Sequence, residues 1–429
     1  MPEESIIALM IALMMSLPTL LMSRRQGRFD LFAPPMLVLI IMWLQYYLPA
    51  FTLPYYDYWV YPHRWAKSQV VFYPILLTSL AWVAFLWGYG SKLGIKISQR
   101  FPVPCPSRYT VLTSWVLLLI GIMSLLIATH KSGGLLQIAM QGSVLKGTGI
   151  WITLGFLTIP GVILAWNYKS RIAAVLAVIF YFTIINAAQG RGAALSVFIL
   201  LLIDSYYLWN LRNSTTLLLG IGIAMTITVI ASIGRLLTTI ASLPDIIALV
   251  NNIGRNLAFH AMLTINRDIS RIEQVSIILE LVPSHVGYFA GVPMLQALLG
   301  PFAKYLIHDF LDWRIMLTAI ALYGRVENLS WGFGGTGVGE WYVNFGLAGV
   351  IGVWLLFGVT ARSLYEWFQR NRTDRNQSVL LALYVLLLNI FLGCVGETIG
   401  HLFSVWTLVP IVMSSHWYRI RIIGVRVRS

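Results

Sequence analysis

The sequence predicts an all-α membrane protein, a polytopic helix bundle with about 11 transmembrane helices. Hydrophobic residues make up 58% of the 429 residues and charged residues only 11%, whereas soluble globular chains carry about 45–50% and about 25%. The mean hydropathy is +0.77. The apolar residues also gather into stretches of about 20, the length that crosses a bilayer. These observations exclude an ordinary soluble enzyme, a disordered protein and a collagen-like fibre.

Each predicted span is a stretch of roughly 17–23 residues with almost no charge. We expect the first to be a transmembrane helix and not a signal peptide. Glu3 and Glu4 precede it, where a signal peptide carries Lys or Arg. The spans are 6–22, 31–53, 69–90, 111–129, 150–167, 172–188, 193–210, 215–233, 341–361, 378–395 and 400–417.

The basic residues predict the orientation of these spans. The net charge is +14, and the segments placed in the cytoplasm hold 18 of the 30 Lys and Arg residues, against five in the short outer loops. Because cytoplasmic loops carry the excess of Lys and Arg, the N-terminus is expected outside and the C-terminus in the cytoplasm. No basic domain separates from the apolar runs, so nucleic acid is not an expected partner.

One long segment divides the chain. Residues 1–233 form an N-terminal bundle of about eight spans, residues 234–340 a long outer-face segment, and residues 341–429 a C-terminal bundle of about three spans with a basic tail. Within the long segment, Pro or Gly interrupts the apolar runs at 236–250 and 276–303. Such runs are typical of re-entrant or interfacial helices; alternatively both cross the membrane, which gives 13 helices.

Three arginines are candidate ligands for a phosphate-containing substrate. Arg191 lies in Gln189-Gly190-Arg191-Gly192, the whole connection between two spans. A guanidinium there is costly unless an anion pairs with it. Arg255 and Arg325 lie in the long segment, and the planar fork of arginine matches phosphate oxygens. The alternatives are a snorkelling Arg191 and loop arginines paired with neighbouring acids.

The glycine-rich stretch 332–352 reads GFGGTGVGEWYVNFGLAGVIG. It contains G-x-G-x-x-G, but no strand precedes it, so a dinucleotide site is not expected. The glycines predict a loop whose amides cradle an anion. Gly346, Gly349 and Gly352 recur every three residues and predict a smooth face for close helix packing. Glu340 is placed at the start of a helix, as a general base or as an ordinary helix-end charge.

His260 is a second candidate base. The alternative is a buried histidine whose hydrogen bonds are satisfied within the protein. The loose spacing of His308, Asp309 and Asp312 matches no metal-binding motif, so we expect no metal. No P-loop is present, so ATP is not the expected energy source.

The stretch Gly339–Gly346, followed by Gly349 and Val350, resembles the G-E-x-Y-x-N-F-G signature of bacterial O-antigen polymerase-like polysaccharide repeat-unit polymerases, which are integral membrane glycosyltransferases. The turn around Arg191 resembles the family's arginine between two middle helices, and Phe29–Pro34 the start of its second helix. The plan of many helices with one long outer segment before the last three is similar too. The family's Pro-Arg before the signature is absent, since the chain has Pro301-Phe302-Ala303-Lys304.

The resemblance implies transfer of a growing glycan from polyprenyl (undecaprenyl) pyrophosphate to another lipid-linked repeat unit, at the periplasmic face of the bacterial inner membrane. Arginines can neutralise the leaving pyrophosphate, so neither a metal nor a cofactor is expected. The acceptor hydroxyl needs one general base. The expected partners are the lipid-linked oligosaccharide and membrane lipid. A chain-length regulator protein is a further candidate partner. The site residues expected are Glu340 or His260 as base, and Arg191, Arg255, Arg325, Tyr342 and Asn344 as ligands of pyrophosphate or sugar.

Two alternative functions remain open. A glycan ligase of similar architecture would move finished polymer onto a different acceptor. A transporter or flippase of lipid-linked sugars would show inverted repeats and polar residues at mid-membrane. The spans are nearly free of charge, and Asp204 is the main exception.

Overall fold

The computed structural model describes most of the chain, and it is mainly helical there. The residues it describes are 3–25, 28–56, 67–134, 149–168, 170–187, 191–211, 213–216, 218–220, 222, 270–299, 313–325, 336–373, 377–396 and 399–418. Two short antiparallel strand pairs accompany the helices: β1 (Arg24–Arg25) with β2 (Arg28–Phe29), and β3 (Val103–Cys105) with β4 (His416–Tyr418).

The helices of the first half are α1 (Glu3–Met22), α2 (Pro34–Met42), α3 (Leu48–Tyr56), α4 (Lys67–Gly90), α5 (Lys92–Ser98), α6 (Arg108–Lys131), α7 (Gly149–Gly155), α8 (Thr158–Asn167), α9 (Arg171–Ala187) and α10 (Arg191–Trp209). A π-helical turn, Trp43–Tyr47, joins α2 to α3. The later helices are α11 (Ile272–Leu281), α12 (Val292–Leu299), α13 (Trp313–Tyr323), α14 (Gly337–Asn371), α15 (Gln377–Gly396) and α16 (Val409–Ser414), with a 3₁₀ helix at Ile399–Leu408.

Six helical stretches of the described chain are long and apolar enough to cross a membrane. They are Pro34–Thr52, Gln69–Gly90, Arg108–Lys131, Ile150–Asn167, Gly337–Asn371 and Gln377–Gly396; the shorter apolar helices are Ile6–Met22, Arg171–Ile185, Val197–Trp209, Trp313–Tyr323 and Ser404–Ser414. The expectation of an all-α membrane bundle is thereby confirmed. The predicted span 215–233 lies mostly outside the described residues.

Large apolar side chains remain exposed along several of these helices. Trp87 is 75% exposed, Leu119 64% and Leu176 62%. Continuous apolar exposure of this kind would promote aggregation in water. It is favourable against lipid, where helices satisfy their own backbone hydrogen bonds.

The longest helix, α14, packs directly on α4. A Cβ atom placed on Gly88 would lie 2.0 Å from the carbonyl oxygen of Leu355, and one on Gly358 would lie 2.1 Å from that of Phe85. Real Cβ atoms do not approach carbonyl oxygens so closely, so only glycine fits at either position. Small residues at a helix crossing let backbones meet, and they are typical of membrane bundles.

The three-residue glycine spacing in α14 does not form the predicted packing face. Gly346 has φ 63° and ψ −155°, which interrupts the helix with a kink. Glycine reaches this conformation without the steric cost that a side chain adds. A Cβ atom on Gly352 would meet no atom within 4 Å. The prediction of a smooth face was therefore wrong, and the close contact of α14 with α4 comes from Gly358 instead.

A buried carboxylate ties three helices together at the other end of α14. Asp30, just before α2, accepts hydrogen bonds from the Tyr207 hydroxyl of α10, 3.1 Å from each carboxylate oxygen, and from the Tyr365 hydroxyl of α14. The backbone N–H of Phe32 donates to Asp30 Oδ1 at 3.1 Å. Glu340 and Tyr365 are separated by roughly 35 Å of helix, so this tie is remote from the start of α14.

The long segment contains helices too short to cross a bilayer. Helices α11, α12 and α13 have 10, 8 and 11 residues, so the longest spans only about 16 Å against a hydrocarbon core of about 30 Å. The apolar run 276–303 is therefore not one continuous helix, since non-helical residues separate α11 from α12. The run 236–250 lies outside the described residues.

Candidate functional site

The start of α14 is a capped helix terminus. Thr336 is the N-cap residue, and its hydroxyl accepts a hydrogen bond from the backbone N–H of Gly339 at 3.3 Å. The N–H of Glu340 donates to the Thr336 carbonyl at 2.9 Å. Threonine is a favoured N-cap residue, and an acidic residue in the first turn interacts favourably with the helix dipole.

Two glycines let this terminus enter between its neighbours. A Cβ atom on Gly337 would lie 2.0 Å from the Val395 carbonyl oxygen of α15, and one on Gly339 would lie 2.6 Å from Ile278 of α11. These glycines therefore serve packing, whereas the sequence predicted an anion-cradling loop. Residues 332–335, the first part of that loop, lie outside the described residues.

Glu340 is buried within this wedge. Its exposed fraction is 1%, and a carboxylate removed from water this completely is costly unless polar or charged groups surround it. The Tyr46 hydroxyl and the Cys394 thiol lie within electrostatic range of the carboxylate. Glu340 is thus a buried group at the start of α14, one turn after the N-cap.

The π-helical turn Trp43–Tyr47 packs against the start of α14. Tyr46, which is fully buried, has its hydroxyl 2.7 Å from the Thr336 hydroxyl. The backbone N–H of Arg271, at the start of α11, donates to the Gln45 carbonyl at 2.9 Å. Insertions of this type inside helices occur frequently at functional sites. The turn therefore brings α11 and α14 together at one point.

Two groups of opposite charge, Arg271 and Glu340, lie within electrostatic range of the Tyr46 hydroxyl. The side-chain oxygen of the adjacent residue, Gln45, is buried and has no hydrogen-bond partner among the described residues. We call Gln45, Tyr46, Arg271, Thr336 and Glu340 the α14 cluster. It combines a cation, a carboxylate and neutral hydrogen-bonding groups, which suits an anionic substrate and a proton transfer.

Asn344 fastens a loop to α14, one turn after Glu340. Its side-chain oxygen accepts a hydrogen bond from the Gly291 N–H at 3.0 Å, and its amide donates to the Glu340 carbonyl at 2.7 Å. The N–H of Phe289 also donates to the Val343 carbonyl, at 3.0 Å. Because both ends of the Asn344 side chain are engaged within the protein, its geometry favours positioning over substrate contact.

An aromatic pair lies beside this loop. Tyr342 is half-buried and Tyr288 is 45% exposed, and their rings meet edge-to-face with centroids 6.2 Å apart. The Tyr288 hydroxyl also approaches Gly346, where an added Cβ atom would lie 2.9 Å from it. Tyrosines that present an apolar face and a polar tip suit a partly polar ligand such as a sugar.

The other predicted site residues are less fully placed. Arg325 is exposed, two residues after the end of α13. Arg191 begins α10, but its side chain lies outside the described residues, as do Arg255 and His260. Of the predicted set, the structure therefore joins Asn344 to the Glu340 carbonyl, and Tyr342 lies between them in sequence and contacts Tyr288.

Sequence reasoning missed Gln45, Tyr46 and Arg271. The available signal was Gln45, a polar residue in the middle of the apolar stretch 31–53. Arg271 carried no local signal, because the contact that brings it to the π-helical turn is with Gln45, more than 200 positions earlier in the chain.

Comparison with known proteins identifies no relative. No family model matches the chain, and no curated protein or solved structure is significantly similar to it. Within the described part of the chain, no group of three or more His, Cys, Asp and Glu side chains could hold a metal ion. Function is therefore argued from the α14 cluster and the sequence motif around it.

Proposed function

We propose that the chain is a polysaccharide polymerase, a membrane glycosyltransferase that joins polyprenyl-pyrophosphate-linked oligosaccharide repeat units at the outer face of the bacterial inner membrane. The observation that carries the proposal is the burial of Glu340 within the α14 cluster. The motif resemblance supports the same residue.

Glu340 is assigned as the general base. The acceptor hydroxyl of one repeat unit attacks the anomeric carbon of the lipid-linked donor, and its proton passes to the Glu340 carboxylate. The bond between that carbon and the pyrophosphate oxygen breaks, and the electron pair leaves with the pyrophosphate. The new glycosidic bond and the free lipid pyrophosphate balance the reaction without an oxidant or a nucleotide.

Arginines are assigned to the leaving group. Negative charge grows on the pyrophosphate as the bond breaks, and fixed cations stabilise it most where water is excluded. Arg271 is assigned to this role because it lies, like Glu340, within electrostatic range of the Tyr46 hydroxyl. Arg191, Arg255 and Arg325 are proposed to complete the pyrophosphate site.

The tyrosine pair is assigned to the sugar. Tyr288 offers an exposed ring beside Tyr342, two residues after Glu340 along α14. Asn344 holds the loop that carries Tyr288 against α14, so it positions this surface. His260 stays the second candidate base.

The test uses the purified full-length protein with a polyprenyl-pyrophosphate oligosaccharide of the source organism's repeat unit, in EDTA and without ATP. A ladder with repeat-unit spacing, absent with Glu340→Gln, is the expected result. The control is Glu280→Gln, which makes the same chemical change on neighbouring α11.

Three other outcomes contradict the proposal. Transfer onto a different acceptor indicates a ligase. A cognate donor that is never consumed indicates a transporter. A ladder of wild-type yield from Glu340→Gln removes Glu340 from the chemistry and leaves it a helix-end charge.

A further inference from the structure

A second buried polar pair lies in the membrane region, away from the α14 cluster. Asp204, in the last third of α10, is 0% exposed. The side-chain nitrogen of Asn167, the last residue of α8, donates to Asp204 Oδ1 at 2.8 Å and to the Ile163 carbonyl at 2.9 Å. Both hydrogens of the Asn167 amide are therefore committed.

One side-chain oxygen of each residue lacks a hydrogen-bond donor among the described residues. Asp204 Oδ2 and the side-chain oxygen of Asn167 are both buried, and neither has a hydrogen-bond partner among the described residues. If Asp204 is ionised, both atoms can only accept. Two buried acceptors without donors are costly, and native interiors rarely contain them.

In the part of the chain that the structure describes, no cation compensates a charge at this position. Among the described residues, Asp204 forms no salt bridge, and Asn167 is the side chain that acts on its carboxyl group. Arg171 of neighbouring α9 places its guanidinium over the Trp209 ring, 5.0 Å from the centroid. An ionised carboxylate that is buried in an apolar interior without a partner is costly. Such a group usually takes up a proton and becomes neutral instead.

Few other titratable groups lie on the helices around Asp204. Helix α10 packs against α8, α9 and α15. The titratable or charged residues on these helices and within two residues of their ends are Tyr168, Arg171, Tyr181, Tyr206, Tyr207, Tyr384 and Cys394, together with Lys169, Arg191, Arg375 and Glu397, whose side chains lie outside the described residues.

We propose that Asp204 is a proton-binding site, held as a neutral carboxylic acid by Asn167. The proton sits on Oδ2 and is donated to the side-chain oxygen of Asn167. A carboxylic acid offers one donor and one acceptor, and the Asn167 amide already donates one N–H to Asp204 and offers its oxygen as acceptor, so the two groups can close a ring of two hydrogen bonds. One bound proton thus satisfies both unmatched oxygens.

The pair fastens α8 to α10. Asp204 lies 13 positions after Arg191, which is about 20 Å along the helix. Loss of the proton would break one of the two hydrogen bonds and leave a charge between the helices. This proton site does not depend on the proposed polymerase activity.

The test is infrared difference spectroscopy of the full-length protein in lipid nanodiscs. Asp204→Asn is the matched variant, because two amides form the same ring without a titrating proton. The spectrum of wild type minus Asp204→Asn at pH 7 is expected to contain the C=O band of a protonated acid, sensitive to D₂O. If the difference contains only carboxylate bands, Asp204 is ionised and the proposal fails. A water molecule donating to both oxygens would give that result.

Thermal unfolding gives a second measurement. A carboxyl group kept neutral by folding stabilises the protein at low pH, and this stability is lost as rising pH ionises the group. The melting temperature of wild type is therefore expected to fall relative to that of Asp204→Asn as the pH rises above about 4, where the carboxyl group of the unfolded chain ionises. Parallel melting curves overturn the proposal. If Asp204→Asn does not fold, Asn167→Ala replaces it in the infrared test. The acid band must then shift, since its C=O loses the amide donor, and an unshifted band assigns it elsewhere.

Discussion

The hydroxyl groups of Tyr46 and Thr336 lie 2.7 Å apart, although 290 positions separate them in the chain. Through this contact the π-helical turn meets the N-cap of α14, one turn before Glu340. The contact holds in place the first turn of α14, which carries the Glu340 carboxylate. The geometry of the α14 cluster therefore depends on two segments that are far apart in the sequence.

We expect the Tyr46 and Thr336 hydroxyls to be energetically coupled. Tyr46→Phe and Thr336→Val each remove the hydrogen bond, at a cost of about 1 kcal/mol. Thr336→Val costs more, because it also removes the N-cap. Thermal unfolding of the two single variants and the double variant measures the coupling. Strictly additive losses would show that the two hydroxyls do not interact.

Glu340→Gln is expected to lower the rate of chain extension by about 10²- to 10⁴-fold, the usual contribution of a general base. The side chain keeps its size and most of its hydrogen bonding, so the melting temperature should change little. Extension assays of Glu340→Gln and Glu280→Gln, made at equal protein level, check this. Equal activity of the two variants would argue against a base at Glu340.

Arg271→Lys is expected to reduce extension less than Arg271→Ala. Lysine keeps the positive charge but loses the planar fork that binds two phosphate oxygens at once. The measurement is extension rate against donor concentration. Arg108→Ala is the control, since Arg108 begins α6 and stacks on exposed Tyr109, at 4.8 Å from the ring centroid. A fall with Arg108→Ala as large as with Arg271→Ala would indicate a general effect of charge.

Arg191→Ala is expected to abolish chain extension while the protein level stays normal. Arg191, the first residue of α10, is assigned to the pyrophosphate, because the negative charge that grows on the leaving group needs a fixed cation. Polymer length on gels of cells that carry the variant reports the result. Long polymer at wild-type yield would remove Arg191 from the pyrophosphate site.

Gly88→Ala and Gly358→Ala are each expected to destabilise the bundle by about 1–3 kcal/mol, the cost of overpacking. In both variants the new methyl group meets a carbonyl oxygen of the opposite helix. Gly352→Ala, on the same helix as Gly358, is the matched control, because its methyl group enters open space. Melting temperatures in detergent compare the three. A Gly352→Ala variant as unstable as the others would point to helix propensity or lipid contact instead.

Local sequence pattern was sufficient for the long helices. The apolar stretches 69–90 and 150–167 reappear with the same bounds as Gln69–Gly90 and Ile150–Asn167, because charge-free length is what the membrane selects. The same pattern failed at Gly346. Its spacing suggested a packing face, but its conformation depends on the loop that docks beside it.

The site was predictable only in part, for a related reason. Glu340 was found because its motif is contiguous in the sequence. Arg271 and Tyr46 join it through contacts between distant segments, and nothing in their immediate sequence distinguishes them from a loop arginine and a membrane tyrosine. Tertiary neighbours of this kind cannot be inferred from hydrophobic periodicity alone.

The crossing of α4 and α14 also limits how the protein can move. Shear motions between helices need side chains that can slide past one another. At Gly88 and Gly358 main chain lies directly against main chain, so sliding either helix along the other would drive backbone into backbone. We therefore expect α4 and α14 to move together as a single rigid body. Under the proposed function, we expect a lipid-linked chain to reach Glu340 by displacement of the shorter helices α11 to α13, with α4 and α14 remaining stationary.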